Sequence, residues 1–337
     1  MKSQLVCSHF SNQLHYVRIN TFTSFFAYDH AKKSHPLFTS SCLLILFLLL
    51  SYSHNVGAQE FIDLYPGAVP NSKVETENVP ISTETQGLIR EVIRPTIQVF
   101  KPAAGEATGT AMLIIPGGGY AVIVYAGEGI NSAKALAEKG ITTFVLKYRL
   151  PKDELQNDKS IAPLQDAQQA MKVIRERAEE FGIDPNKIGV MGFSAGGHLA
   201  SMLATHYEPA LIDNPDGTSL RPDFQIVVYP VISFLDSITH KDSRTALLGE
   251  NFTEKEMINF SNELQVTSDT PPAYITHAGD DGLVPVDNSL NYYRQLIQHK
   301  VPAEMHLYPK GNHGFLLRWP IDEWRSPLLR WMNQAGF

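Results

Sequence analysis

Three features of the sequence predict an α/β fold, a mostly parallel twisted sheet with helices on both faces. Short β-branched apolar runs alternate with stretches of helical period over about 200 residues. Glycine-rich turns stand where a run gives way to a helix. A chain of 337 residues with 43% hydrophobic content is large enough to bury a full-sized core as one domain.

The runs that predict strands are Thr96–Phe100, Ala111–Ile115, Ile141–Lys147, Ile188–Gly192, Phe224–Tyr229, Ala273–His277 and Ala303–Tyr308. Between them, helical period marks Ile130–Lys139, Leu164–Phe181, Ala195–Thr205, Asn288–Lys300 and a terminal helix around Pro327–Gln334. In Leu164–Phe181 the residues Leu164, Ala167, Met171, Ile174 and Ala178 fall on one stripe, with charged residues opposite. Residues 59 to 78 read as an irregular lead-in. The segment Ser233–Thr270 exceeds a simple crossover and predicts a small helical cap, an insertion at about 233–270 within a single domain spanning 59–337. Ligands of such sheets bind beyond the carboxyl ends of the strands, so the loops that follow the strands are where chemistry is expected.

The N-terminus has the order of a signal peptide. Lys32 and Lys33 precede the unbroken apolar run Cys42–Leu50, and Val56 and Ala58 supply compact residues before a cleavage point at Gln59. The run is shorter than the roughly 20 residues that cross a bilayer, so a permanent membrane anchor is not expected. Residues 1–30 are polar and long for a leader, which predicts translation starting downstream of Met1. Cleavage after Ala58 takes away Cys7 and Cys42, the two cysteines of the chain, leaving no disulfide or thiolate chemistry. Removing the leader's four basic residues and one acidic residue from totals of 28 and 35 takes the net charge from -7 to -10. Such an acidic domain has no basic stripe for a phosphate backbone, which argues against nucleic acid as a partner. A secreted or periplasmic destination follows from the leader.

Three loops carry chemistry. Ile188–His198 contains Gly192-Phe193-Ser194-Ala195-Gly196 between an apolar strand and an Ala/Leu-rich helix, the strand–turn–helix setting in which a serine hydroxyl is thrust out at the top of a sheet. Glycines two before and two after relieve the crowding of that turn. A plain N-cap serine is the structural alternative. Met112–Tyr120 ends a strand in three glycines, where main-chain N–H groups can approach a developing oxyanion without side-chain hindrance. Gly118, Gly119 and Ala195 are the expected donors, a merely flexible turn being the alternative. Ala273–Pro285 and Ala303–Phe315 then supply an acid and a base, Asp281 and His313. Serine needs a neutral imidazole within hydrogen-bond reach, and a carboxylate fixes the tautomer of that ring. Asp280 is the rival acid, better placed to bond the loop backbone. His198, one helical turn past Ser194, is expected to be structural, as are His277 and His306 inside strands and His206 and His299 near helix ends. No tight ligand cluster suggests a metal, and this chemistry needs no cofactor.

With these loops in place the chain resembles the α/β-hydrolase superfamily, and within it the single-domain bacterial esterases related to acetyl-xylan and feruloyl esterases. The resemblance is carried by Pro116–Tyr120, Lys147–Pro151, Leu164–Asp166, Gly192–His198, Arg221–Phe224, Tyr229–Pro230, Gly279–Pro285 and Gly311–Phe315, which span nearly all of the chain after residue 58. In esterases and lipases a histidine precedes the three glycines; here Pro116 stands in that place. The resemblance implies an exported serine esterase that removes acetyl or other small acyl groups from plant-polysaccharide fragments of xylan type. Tyr120, His240 and Arg244 are the expected substrate contacts, with Ser243 beside them, and Asp166 is the expected structural partner of an arginine such as Arg149. Some relatives carry a xylanase label, but glycosidase chemistry needs two flanking carboxylates, which the motifs do not supply. Two other readings stay open. A prolyl-oligopeptidase-type peptidase shares this catalytic fold, although fewer than about 50 residues after Gln59 precede the first strands, too few for a gating propeller. A non-catalytic carbohydrate-binding module on a hydrolase scaffold would not need Ser194, Asp281 and His313 together.

Overall fold

The computed structural model describes residues 60–337, apart from 78, 80, 81 and 83; the leader lies outside the described residues. The strands are β1 (Glu60–Asp63), β2 (Thr96–Phe100), β3 (Ala111–Ile115), β4 (Thr142–Lys147), β5 (Ile188–Phe193), β6 (Phe224–Val228), β7 (Ala273–Ala278) and β8 (Ala303–Tyr308). They form one sheet in the order β1-β2-β4-β3-β5-β6-β7-β8. β1 and β2 pair antiparallel, as do β2 and β4, and every other pairing is parallel. β3, β4, β5, β6 and β7 are buried along their whole length, which is why none of them alternates strictly between apolar and polar residues.

The helices are α1 (Asn131–Ala137), α2 (Ala162–Glu176), α3 (Ala178–Phe181), α4 (Ala195–Thr205), α5 (Lys241–Leu248), α6 (Glu254–Asn259), α7 (Asp287–Gln298) and α8 (Ile321–Ala335). α2 packs on α4, while Arg325 of α8 reaches the carbonyl of Ala135 in α1 at 2.9 Å. Arg149, just past β4, forms a bidentate pair with Asp166 of α2 through Nε and Nη2, and Tyr65 adds its hydroxyl to the same carboxylate. Both charges are almost fully buried, so each depends on the other for its solvation.

Several bounds shift by one or two residues, and four differences from the expected elements are larger. β1 lies in the predicted lead-in; four residues are too few to establish a period. The helix expected at Leu164–Phe181 breaks at Arg177, where ψ reaches 22°, giving α2 and α3. A π-helical turn, Tyr125–Ile130, precedes α1. The terminal helix starts six residues before Pro327, which is inside it. A proline there deprives the carbonyl of Glu323 of its helical donor, and Tyr308 supplies a hydroxyl at 3.3 Å instead. Between β6 and β7, residues 233–270 hold α5, α6 and a 3-10 turn, Asn262–Gln265; Thr253 and Glu256 form a capping box at the start of α6.

His198 ties this segment to α4. Its Nε2 donates to the carbonyl of Phe260 at 2.8 Å, its Nδ1 accepts from the Tyr120 hydroxyl at 2.9 Å, and its ring stacks on Phe234 at 4.3 Å. Burial pushes the imidazole down to about 3 from the ordinary 6.5. Below pH 6.5 the unfolded chain takes up a proton that the folded one refuses until about pH 3. Folded stability therefore falls with acidification across that window, by about 1.4 kcal/mol per pH unit from this side chain. His198→Gln keeps a donor and an acceptor on the same partners, so its unfolding free energy between about pH 6 and about pH 4 has a flatter slope than the wild type's. Urea unfolding at the two pH values measures it, and equal slopes would show that His198 titrates normally in the folded state.

Candidate active site

Ser194 stands at the turn from β5 to α4 with φ 51° and ψ -120°, a left-handed backbone that an ordinary residue avoids. The turn closes because Gly192 and Gly196 have no Cβ: one on Gly192 would strike the carbonyl of Gly196, and one on Gly196 would strike the carbonyls of Ile115 and Pro116. The amide of Ser194 donates to Val228 at 3.1 Å, and its carbonyl accepts from Gly197, His198 and Val231. The hydroxyl is thus fixed at the carboxyl end of the sheet, where ligands of parallel sheets bind.

The expected acid and base meet it. His313 Nε2 lies 2.9 Å from Ser194 Oγ, and His313 Nδ1 lies 2.7 Å from Asp281 Oδ2. With the carboxylate accepting, Nδ1 carries the proton and Nε2 is free to take one from the serine. Asp281 itself is held from four sides. Its Oδ1 accepts the amides of Leu283 and Val284 at 2.9 Å each, and its Oδ2 accepts from His277 Nε2 at 3.0 Å as well as from His313. Burial alone would raise this carboxyl; the donors from His277, His313 and Val284 outweigh it and hold it well below the usual carboxylate range. Asp280 takes the other expected part, accepting the amide of Asn312 at 2.7 Å. Asn312 in turn accepts from Gly282, so the acid and base loops are laced together.

The glycine loop lies against the nucleophile: a Cβ on Gly117 would sit 2.9 Å from Cβ of Ser194. The amide of Gly117 is taken by Glu128 Oε2 at 2.6 Å. The amides of Gly118, Gly119 and Ala195 have no protein acceptor among the described residues. This leaves them available to an oxyanion.

The three expected substrate contacts part company. The ring of His240 lies across the glycine loop, with Cε1 3.9 Å from where a Cβ on Gly119 would be. Its Nδ1 accepts the amide of Ser243 at 3.3 Å as the N-cap of α5, so Nε2 carries the ring proton and has no partner among the described residues. Tyr120 and Arg244, by contrast, are not in the substrate wall. Tyr120 is 1% exposed, with its hydroxyl spent on His198. Arg244 is buried against the carbonyl of Phe234 and Asp236, its guanidinium lying over Phe252. Aromatic and guanidinium groups near a site read as binding groups in sequence, and only packing shows them turned inward.

Three further residues stand beside the site without having been expected there. His277, expected to be a packed strand histidine, bonds the acid on one nitrogen and Ser289 on the other at 2.8 Å. Tyr229, at φ 36°, sets its ring edge-on to His313 at 4.9 Å. Glu128 is a lone acid among small and apolar residues, which is the one sequence clue to a carboxylate facing inward.

Comparison with known proteins bears on this arrangement. A 214-residue stretch is 38% identical to an acetylxylan esterase of Xylanibacter ruminicola, and 205 residues are 38% identical to an endo-1,4-beta-xylanase B of Butyrivibrio fibrisolvens. These stretches cover 62% and 60% of this chain but only 41% and 32% of the two relatives' length. Among solved structures, an acetyl ester-xyloside bifunctional hydrolase of Caldicellulosiruptor lactoaceticus superposes with a TM-score of 0.70 at 33% identity, over 85% of this chain and 99% of that one. The expectation of an α/β-hydrolase fold holds. The BD-FAE family profile matches residues 97–296, a stretch that contains the glycine loop, Ser194 and Asp281 and stops before His313. Since that stretch is more than half of the chain and builds most of the sheet, this protein belongs to the BD-FAE family.

Proposed function

We propose that this chain is an exported serine esterase that removes acetyl or other small acyl groups from xylan-type fragments. The observation that carries the reading is the unbroken line from Asp281 through His313 to Ser194, with links of 2.7 and 2.9 Å, beside a glycine loop whose Gly118 and Gly119 amides have no acceptor among the described residues. Ser194 Oγ attacks the ester carbonyl as His313 Nε2 takes its proton. The tetrahedral oxyanion is held by the amides of Gly118, Gly119 and Ala195, each such donor being worth roughly 3 to 4 kcal/mol in the transition state. His313 returns the proton to the departing alcohol oxygen, and water, deprotonated by the same ring, releases the acid from the acyl-serine. The Nε2–H of His240 is a neutral donor beside the loop and serves a sugar or leaving-group oxygen. The names of the similar proteins support acyl-xylan substrates. The site lends no support to the glycosidase activity in two of those names, since Asp281 and Glu128 are buried and already bonded within the protein. Export rests on the order of basic, apolar and small residues before Gln59.

Ser194→Ala is expected to lower 4-nitrophenyl acetate turnover by at least about 10⁴-fold, and Asp281→Asn by about 10² to 10⁴-fold, with Asp280→Asn well above both. Steady-state rates at one pH decide this, and turnover retained in Ser194→Ala removes the serine from the mechanism. Acid release is expected to be faster from acetylated xylan than from feruloylated arabinoxylan, and His240→Ala is expected to cost more on the xylan than on 4-nitrophenyl acetate. An equal loss on both substrates would take His240 out of sugar recognition. Amino-terminal sequencing of enzyme recovered outside the cytoplasm should begin at Gln59; a start upstream of Cys42 would mean the leader is retained.

A further inference from the structure

Glu128 is a carboxylate 4% exposed, and it makes no salt bridge among the described residues. A buried carboxylate without a counter-ion must be repaid by hydrogen bonds, and where those bonds go shows what it holds. Oε2 accepts from the amide of Gly117 at 2.6 Å and Oε1 accepts from the hydroxyl of Tyr229 at 3.0 Å. Both partners touch the reacting groups. A Cβ on Gly117 would lie 2.5 Å from the carbonyl of Phe193 and 2.9 Å from Cβ of Ser194, so this residue is flush against the nucleophile. The Tyr229 ring packs on His313 at 4.9 Å and on Phe315 at 5.4 Å.

The backbone that delivers Glu128 is itself unusual. It belongs to the π-helical turn Tyr125–Ile130, and such turns occur mostly as single insertions at functional sites. Val124, the residue before that turn, donates its amide to the carbonyl of Gly117 at 2.9 Å. One short segment therefore holds Gly117 by both its N–H and its C=O. With Gly117 pinned, the next two amides are the ones left facing outward.

We propose that Glu128 is a positioning residue: its carboxylate clamps the glycine loop to the wall behind His313, so that the Gly118 and Gly119 amides are held where the oxyanion forms. Burial pushes the Glu128 carboxyl up, while the Gly117 amide, the Tyr229 hydroxyl and the nearby His313 act the other way. The inference rests on the reading of that loop as the oxyanion cradle.

The test uses the full chain, with active sites counted by a fluorophosphonate probe and kcat and KM taken on 4-nitrophenyl acetate. Glu128→Ala is expected to lower kcat per titrated site by about 30-fold or more with KM within about threefold, as for a cradle held out of place. Glu128→Gln recovers about tenfold of that loss, because an amide oxygen still accepts from Gly117 while Tyr229 turns its hydroxyl to accept from the amide nitrogen. Tyr229→Phe keeps the ring and removes one bond, and is expected to cost about three- to tenfold in kcat. A residue that only supports folding would reduce the number of titrated sites and leave kcat per site unchanged. Wild-type kcat per site in Glu128→Ala, or Glu128→Gln no better than Glu128→Ala, overturns the proposal. If Glu128→Ala yields no folded protein, unchanged kcat per site in both Glu128→Gln and Tyr229→Phe overturns it. Failure of the underlying esterase reading looks different, since the wild type itself would then not label and Ser194→Ala would keep its turnover.

Discussion

The architecture of the site depends on one close approach, that of the first turn of α4 to the ends of β3 and β5. Gly196 rests against the carbonyls of Ile115 and Pro116, and Gly192 against Gly196, leaving no room for a side chain at either. Ser194 is held at positive φ by this contact and by its own amide and carbonyl bonds. The same contact sets where the glycine loop begins, because Pro116 is both the last neighbour of Gly196 and the residue before Gly117. Ser194 and the start of the glycine loop are therefore placed by a single packing event.

Charge is handled in the same economical way. Asp281 and Glu128 are both buried beside the reacting groups, and both are satisfied by donors that belong to the site. For Asp281 the donors include two imidazoles and two amides, which favour the ionised form that an orienting carboxylate must keep. Arg149 and Asp166 show the other solution, two opposite charges enclosed together at the edge of the core. The distinction follows function: an enclosed ion pair fixes structure, whereas a carboxylate bonded to loop amides and rings fixes the positions of those groups.

Much of this was legible in the sequence. Ala111–Ile115 and Ala303–Tyr308 end where their apolar runs end, and Ala195–Thr205 begins at the residue after the serine. The motifs also put Ser194, Asp281 and His313 on the loops that the structure brings together, because the fold restricts which loop can hold each; their catalytic roles belong to the proposed mechanism. What was not legible depends on orientation. Tyr120 and Arg244 face inward, Tyr229 leaves its strand one residue early through a positive φ, and His277 leans on the acid instead of merely filling space. Pro327 pointed to the start of a helix, yet it sits within one because Tyr308 satisfies the carbonyl that a proline abandons. Pattern reports which residues share a face, and it is silent on which partner each polar atom finds.

The lacing of Asp280, Asn312 and Gly282 joins the loop after β7 directly to the loop after β8. Residues 233–270 leave from β6 and return to β7, and reach the rim of the glycine loop at Gly119 through His240 and Ser243. On the proposed reading, the proton-transfer groups thus sit on other loops than the residues at the rim. The same reading makes residues 233–270 the place where an exchange between two strand ends alters which ester is accepted and leaves the Asp281–His313–Ser194 line in place.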